Sequence, residues 1–103
     1  MERIEKLKEF LKASPADSFL QHALALEYIK LGDEEAAKSL FETILEREPG
    51  YVGSYYHLGK LWERMGNFDE AARVYEKGMD ECKKANDRHA HNELQMAWEE
   101  ISE

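Results

Sequence analysis

A single cysteine, Cys82, excludes an intramolecular disulfide. Two prolines and six glycines in 103 residues leave little room for a loop-rich fold. No window approaches ~20 consecutive apolar residues, so no membrane-spanning helix is expected. Residues 2–6 read Glu, Arg, Ile, Glu, Lys, charged where a signal peptide needs its apolar core, and the expectation is a cytoplasmic protein. Positive charge is scarce: 14 Lys and Arg face 22 Asp and Glu, a net charge of −8. Affinity for nucleic acid comes mainly from Lys and Arg displacing condensed counterions, so neither nucleic acid nor an anionic membrane is an expected partner. A composition 43% hydrophobic and 35% charged nevertheless suits a folded chain rather than a disordered acidic tail, and the length suits one domain.

Catalytic patterns are absent as well. Of the four histidines, His22, His57, His89 and His91, the closest pair is two residues apart. On a helix such a pair diverges by about 200° and shares no face, so no metal site is expected. Lys83 and Lys84, next to Cys82, do not face it on a helix, and an inert, partly buried thiol is expected there. Leu58-Gly59-Lys60-Leu61 lacks the earlier glycine and the Ser or Thr of a phosphate loop, and no G-x-S-x-G elbow occurs. Glu34-Glu35 and Glu99-Glu100 read as solvated helix faces. No cofactor and no enzymatic activity are expected.

What the sequence does have is a repeat. Pro15 and Pro49 lie 34 residues apart, as do Gly32 and Gly66, and at the same offset Leu24 matches Leu58, Ala25 matches Gly59, and Tyr28 matches Trp62. Leu7, Phe41 and Tyr75 form one series at that spacing, and Leu11, Leu45 and Met79 another. Within each unit the apolar residues recur at helical intervals. Leu20, Ala23, Leu24, Tyr28 and Leu31 stripe one helix, which Gly32 ends and Asp33 follows as a cap. Ala37, Leu40, Phe41, Ile44 and Leu45 stripe the next, which stops at Pro49. Tyr55, Leu58, Gly59 and Trp62, then Gly66-Asn67, then Ala71, Ala72, Tyr75 and Met79 repeat the plan. Connections this short make antiparallel helix hairpins.

At the N-terminus Ile4, Leu7, Phe10 and Leu11 form one apolar face, matching the second half of a unit. At the C-terminus Ala90, Leu94, Ala97 and Ile101 stripe a last helix. Both end helices keep one polar face, as the ends of a repeat stack require, and a complete domain is expected. Helices are expected over roughly 2–13, 17–31, 33–47, 52–65, 67–84 and 88–101. The units are a half-repeat over 1–15, repeats over 16–49 and 50–85, and a capping helix over 86–103.

These residues resemble the tetratricopeptide repeat family. The second unit carries its pattern through Tyr55, Leu58-Gly59, Trp62, Gly66-Asn67, Ala71 and Tyr75, and the first through Leu24-Ala25, Tyr28, Gly32-Asp33, Ala37, Phe41 and Pro49. Gln21 stands where the first large residue is expected. Lys83 replaces the closing proline, and Asn86-Asp87 beyond it suggest a looser or longer exit from the fifth helix. The resemblance implies an all-α, right-handed solenoid of antiparallel hairpins with about six helices, acting as a non-enzymatic scaffold that binds a protein or peptide partner in a concave groove. A homodimer closed by the same apolar surface is the alternative.

The leading helix of the first unit has a second stripe, Phe19, His22, Leu26 and Ile29, that its core does not explain. The matching positions later in the chain are Gly53, Tyr56, Lys60 and Glu63, and with one residue inserted His91, Gln95 and Trp98. The resemblance implies that these line the groove, with Phe19, Leu26 and Tyr56 as anchors. Packing of Phe19 and Leu26 on the first helix, or of Trp98 over an open end, is the competing reading. Chaperone-binding members hold a C-terminal carboxylate with a ring of Lys, Asn and Arg. Here those positions carry His22, Leu26, Tyr56 and Lys60, which leaves Lys60 and Arg64 to hold one acidic group.

Overall fold

The computed structural model describes residues 2–102, and among them all regular structure is helical. Two compact units divide the chain, one through Glu48 and the other from Pro49. The first contains α1 (Glu2–Ala13), α2 (Ser18–Leu31) and α3 (Glu34–Arg47); the second contains α4 (Gly53–Arg64), α5 (Phe68–Ala85) and α6 (Arg88–Ile101). The helices lie within a residue or so of their expected ranges.

One device makes three of the junctions. After α2, Gly32 takes the left-handed conformation at φ 83°, and the Asp33 carboxylate accepts the Ala36 N–H at 3.2 Å. After α4, Gly66 at φ 81° precedes Asn67, whose side chain accepts the Glu70 N–H at 3.1 Å. After α5, Asn86 at φ 58° precedes Asp87, which accepts the Ala90 N–H at 3.0 Å. Asparagine is among the few non-glycine residues that visit this conformation, and each cap contributes about 1 kcal/mol. Proline decides the remaining difference. α3 stops at Arg47 ahead of Pro49, whereas α5, with Lys83 at that position, runs on to Ala85 and reaches 18 residues against 14.

In the first unit Ile4, Leu7 and Leu24 form a buried cluster, with Leu11, Leu20, Ala23, Tyr28 and Leu40 packed against it. Ala25, Ala37, Phe41 and Ile44 are fully buried. Two residues assigned to the core from sequence are not in it. Phe10 is 58% exposed, because the covered stripe of α1 runs through positions 4, 7 and 11, and Leu31, the last residue of α2, is 47% exposed. Gln21, the departure from the repeat pattern, donates through Nε2 to the Pro15 carbonyl at 3.0 Å. Its counterpart Tyr55 donates through its hydroxyl to the Pro49 carbonyl at 2.6 Å. Arg47 bonds Ser18 Oγ and Gln21 Oε1, each at 2.9 Å, and so ties the end of α3 to the start of α2.

In the second unit Tyr55, Leu58, Leu61, Tyr75, Cys82, Leu94 and Ala97 are buried. Leu61, three residues after Leu58, was missed by the sequence stripe. The Tyr75 ring fills the space beside Gly59, and its hydroxyl donates to Glu63. Burial pushes the Cys82 thiol above its ordinary pKa, consistent with an inert side chain. Burial first, and then the charge of Glu81, pushes the Tyr55 phenol from 10.0 up to about 12. Because the folded value lies above the unfolded one, the fold favours the neutral phenol: this stability is full below pH 10 and is lost as pH rises toward 12. The Tyr75 phenol is shifted in the same direction, chiefly by burial. Urea midpoints should therefore begin to fall near pH 10, and a flat profile through pH 12 contradicts this assignment.

Candidate functional site

The second stripe of α2 is exposed for a reason that begins in its sequence. Core positions Gln21, Leu24 and Ala25 turn one side of the helix inward, leaving Phe19 exposed and His22 and Leu26 half-buried. Phe19, His22, Ala23, Leu26, Glu27 and Lys30 of α2, with Arg3 of α1, line a cleft of about 360 Å³. Phe19 is 70% exposed, so packing on α1 does not account for this side chain. His22 sets its ring edge-on to Phe41, with centroids 5.4 Å apart. Ile29, grouped with these residues by sequence, is half-buried and is not among the residues lining that cleft.

Charge at the cleft comes from residues outside the sequence list. Arg3 Nε and Lys30 Nζ each reach Glu27 Oε2 at 3.1 Å. The carboxyl of Glu27 is held below its ordinary pKa, foremost by the hydrogen bond from Lys30. A neighbouring cleft of about 320 Å³ shares Arg3, Glu27 and Lys30 and adds Glu2, Ile4 and Leu31. The signal available in sequence was the spacing of Glu27 and Lys30. Arg3, 24 residues before Glu27, carried none.

On α4, Tyr56 and Lys60 stand one turn apart. Lys60 Nζ lies 5.6 Å from the Tyr56 ring centroid, and the ring meets His57 edge-on. Lys60 also sits 3.6 Å from Glu63 Oε2 and 3.6 Å from Glu100 Oε1 of α6. Lys60 thus has two carboxylates from its own chain within 3.6 Å. Arg64 is exposed at the end of α4 and acts electrostatically on His57, as does Glu93; burial is the main cause of the lowered His57 pKa.

His91 and Trp98 lie two turns apart on one side of α6, both against α5. Trp98 Nε1 donates to Glu76 of α5 at 2.9 Å. His91 faces the end of α5, in a cleft of about 260 Å³ lined also by Cys82, Lys83, Asn86, Asp87 and Arg88. The extra turn of α5 sets where α6 begins. Among the described residues no three of His, Cys, Asp and Glu converge as metal ligands. No helix among them is long and apolar enough to cross a membrane.

Comparison with known proteins agrees with this architecture. The tetratricopeptide repeat family profile matches residues 28–89. A tetratricopeptide repeat-containing protein of Pseudomonas aeruginosa is 26% identical over 91 residues, 88% of this chain and 87% of that one. The crystal structure of a tetratricopeptide repeat domain protein of Salinibacter ruber is 39% identical and superposes with a TM-score of 0.80, covering 82% of this chain and 94% of that one. The TPR2B domain of yeast Sti1, solved in its complex with pHsp70, superposes with a TM-score of 0.88 at 16% identity, covering 96% and 79% of the two chains. The all-α, tetratricopeptide-like fold class expected from the repeat spacing is the class observed. With hairpins of this kind and a family match over more than half its length, the chain belongs to the tetratricopeptide repeat family.

Proposed function

We propose that this protein is a non-catalytic interaction module that binds a segment of another protein through the exposed side chains of its leading helices. The observation that carries the reading is Phe19: a large aromatic, 70% exposed, at the mouth of a cleft lined by Ala23 and Leu26. Exposed apolar side chains clustered beside a concavity usually mark interaction sites. The pHsp70 complex of the yeast domain supports a protein ligand for this fold. In the second unit Tyr56 on α4 is a separate candidate anchor with Lys60, Arg64, His91 and Trp98 as candidate contacts, and in the first unit His22, Leu26 and Ile29 are candidate contacts beside Phe19.

Phe19→Ala and Tyr56→Ala should each weaken partner binding by about 2 kcal/mol while barely moving the melting temperature, since aromatic anchors dominate binding and these side chains are not in the core. The measurement is affinity capture with the intact protein, followed by titration of the recovered partner, purified, against each variant with thermal melts in parallel. Unchanged affinity for both variants rejects this surface. Unfolding by Tyr56→Ala reassigns that residue to the core. A homodimer is tested separately by light scattering, where a strict monomer at high micromolar concentration eliminates it.

A further inference from the structure

Most cations of the second unit are matched by carboxylates of the same unit. Lys60 sits beside Glu63 and Glu100, Arg73 pairs with Glu70, and Lys77 and Lys84 both pair with Glu81. With 22 Asp and Glu to 14 Lys and Arg, such matching is easy to supply. Two cations are left over at one place. Lys83, in the last turn of α5, and Arg88, the first residue of α6, line the cleft of about 260 Å³ together with Cys82, Asn86, Asp87 and His91. Among the described residues, the side chains of Lys83, Asn86, Arg88 and His91 have no hydrogen bond or ion pair with the rest of the chain.

The turn between the helices brings these donors together. Lys83 stands where the first unit has Pro49, so α5 runs on, and Asn86 ends it in the left-handed conformation at φ 58°. Asp87 then starts α6 by accepting the Ala90 N–H at 3.0 Å, and one turn of α6 sets His91 beside Arg88. Cys82 is fully buried at the same cleft, and burial keeps its thiol neutral. The lining therefore carries Lys83 and Arg88 against the single carboxylate of Asp87, with His91 adding to the positive side when protonated. Glu81, the other carboxylate whose field reaches Cys82, is engaged by Lys77 and Lys84 at 3.6 and 3.3 Å. Asp80, one turn before Lys83, is exposed and is not among the lining residues.

The donor set selects the kind of anion. An ammonium, a guanidinium fork, a primary amide and an imidazole converge on one cleft, more N–H groups than the two oxygens of a carboxylate can use. A phosphate group brings three acceptor oxygens and close to two negative charges at neutral pH, and a guanidinium meets it with two parallel bonds. We propose that the cleft between the end of α5 and the start of α6 is a binding site for a phosphate group, held by Lys83, Arg88 and His91 with the amide of Asn86. This site goes beyond the protein-binding reading and shares only His91 with the contacts given for it.

The test titrates the isotope-labelled full chain with inorganic phosphate and, separately, with acetate at constant ionic strength, and reads amide shifts. Phosphate should shift amides over residues 82–91 and bind about tenfold tighter than acetate. Lys83→Ala with Arg88→Ala should weaken phosphate at least tenfold and leave the melt unchanged, since both side chains are exposed. Asn86→Gly keeps the left-handed turn accessible while removing the amide, and should cost about threefold in affinity. Lys6→Ala, which removes an exposed lysine of α1, should change nothing. A short phosphoserine peptide separates the two sources of the group. Binding tighter than inorganic phosphate assigns the site to a phosphorylated protein segment, and binding no tighter assigns it to a small phosphorylated molecule. Equal affinities for phosphate and acetate, shifts spread over the other lysines, or an undiminished response in the double variant overturn the site.

Discussion

Gly59→Ala should destabilise the protein by about 2 kcal/mol or more, and Gly59→Leu should go further and prevent folding at physiological temperature. A methyl group on Gly59 would lie 2.1 Å from Tyr75 Cε1 and 2.6 Å from its Cζ, distances at which one group must move. The ring cannot move cheaply. Tyr75 is fully buried, and its hydroxyl is fastened to Glu63. Alanine would otherwise be favoured over glycine in a helix by about 1 kcal/mol, so the sign of the outcome measures the clash against that gain. Gly50, with nothing within 4 Å of an added methyl, is the control, and Gly50→Ala should leave the melt almost unchanged. Combining Gly59→Ala with Tyr75→Leu should cost less than the two single losses added together, because the smaller side chain vacates the contested space. Equal melting temperatures for the Gly59 and Gly50 variants would show that α4 and α5 do not touch at this position.

The second large effect is expected at Phe41. Phe41→Ala should cost about 3–5 kcal/mol, since the side chain is wholly buried and its removal leaves a cavity beside His22 and the inner face of α3. For a chain of this size each kcal/mol is worth roughly 4–8 °C in melting temperature, so the variant should be largely unfolded well below the midpoint of the parent. Phe10→Ala and Phe68→Ala supply the contrast, because those rings are 58% and 52% exposed. Their melts should fall by no more than a few degrees, in keeping with the small effects of surface substitutions. Circular dichroism melts of the three variants decide the matter, and a Phe10 variant as damaged as the Phe41 variant would put Phe10 in the core.

The helices were legible because their punctuation is local. Gly32-Asp33 and Gly66-Asn67 state a left-handed turn and a cap within two residues, and Pro49 states a stop, so nothing distant is needed to find the ends. Burial was less legible. Phe10 and Phe41 both sit on apolar stripes, and only the presence of a neighbour on the relevant side separates them. The candidate site was half visible: Phe19, His22 and Leu26 stood out as apolar or aromatic where a polar flank was expected. Arg3 did not, because its pairing with Glu27 crosses from one helix to another and leaves no periodic trace. The carboxylate of Glu100 beside Lys60 left no trace for the same reason, since it lies on a different helix.

Gln21 and Tyr55 reach equivalent proline carbonyls, at 3.0 and 2.6 Å, with unrelated side chains. What that position requires is therefore a donor of sufficient reach rather than an aromatic ring, and an amide and a phenol are interchangeable there. A repeat can accordingly drift out of recognisable spelling while its turn keeps the same fastening. Chains whose leading large residue has become Gln are where a search by aromatic signature would lose count of units, and a search for proline paired with a long donor six residues later would recover them.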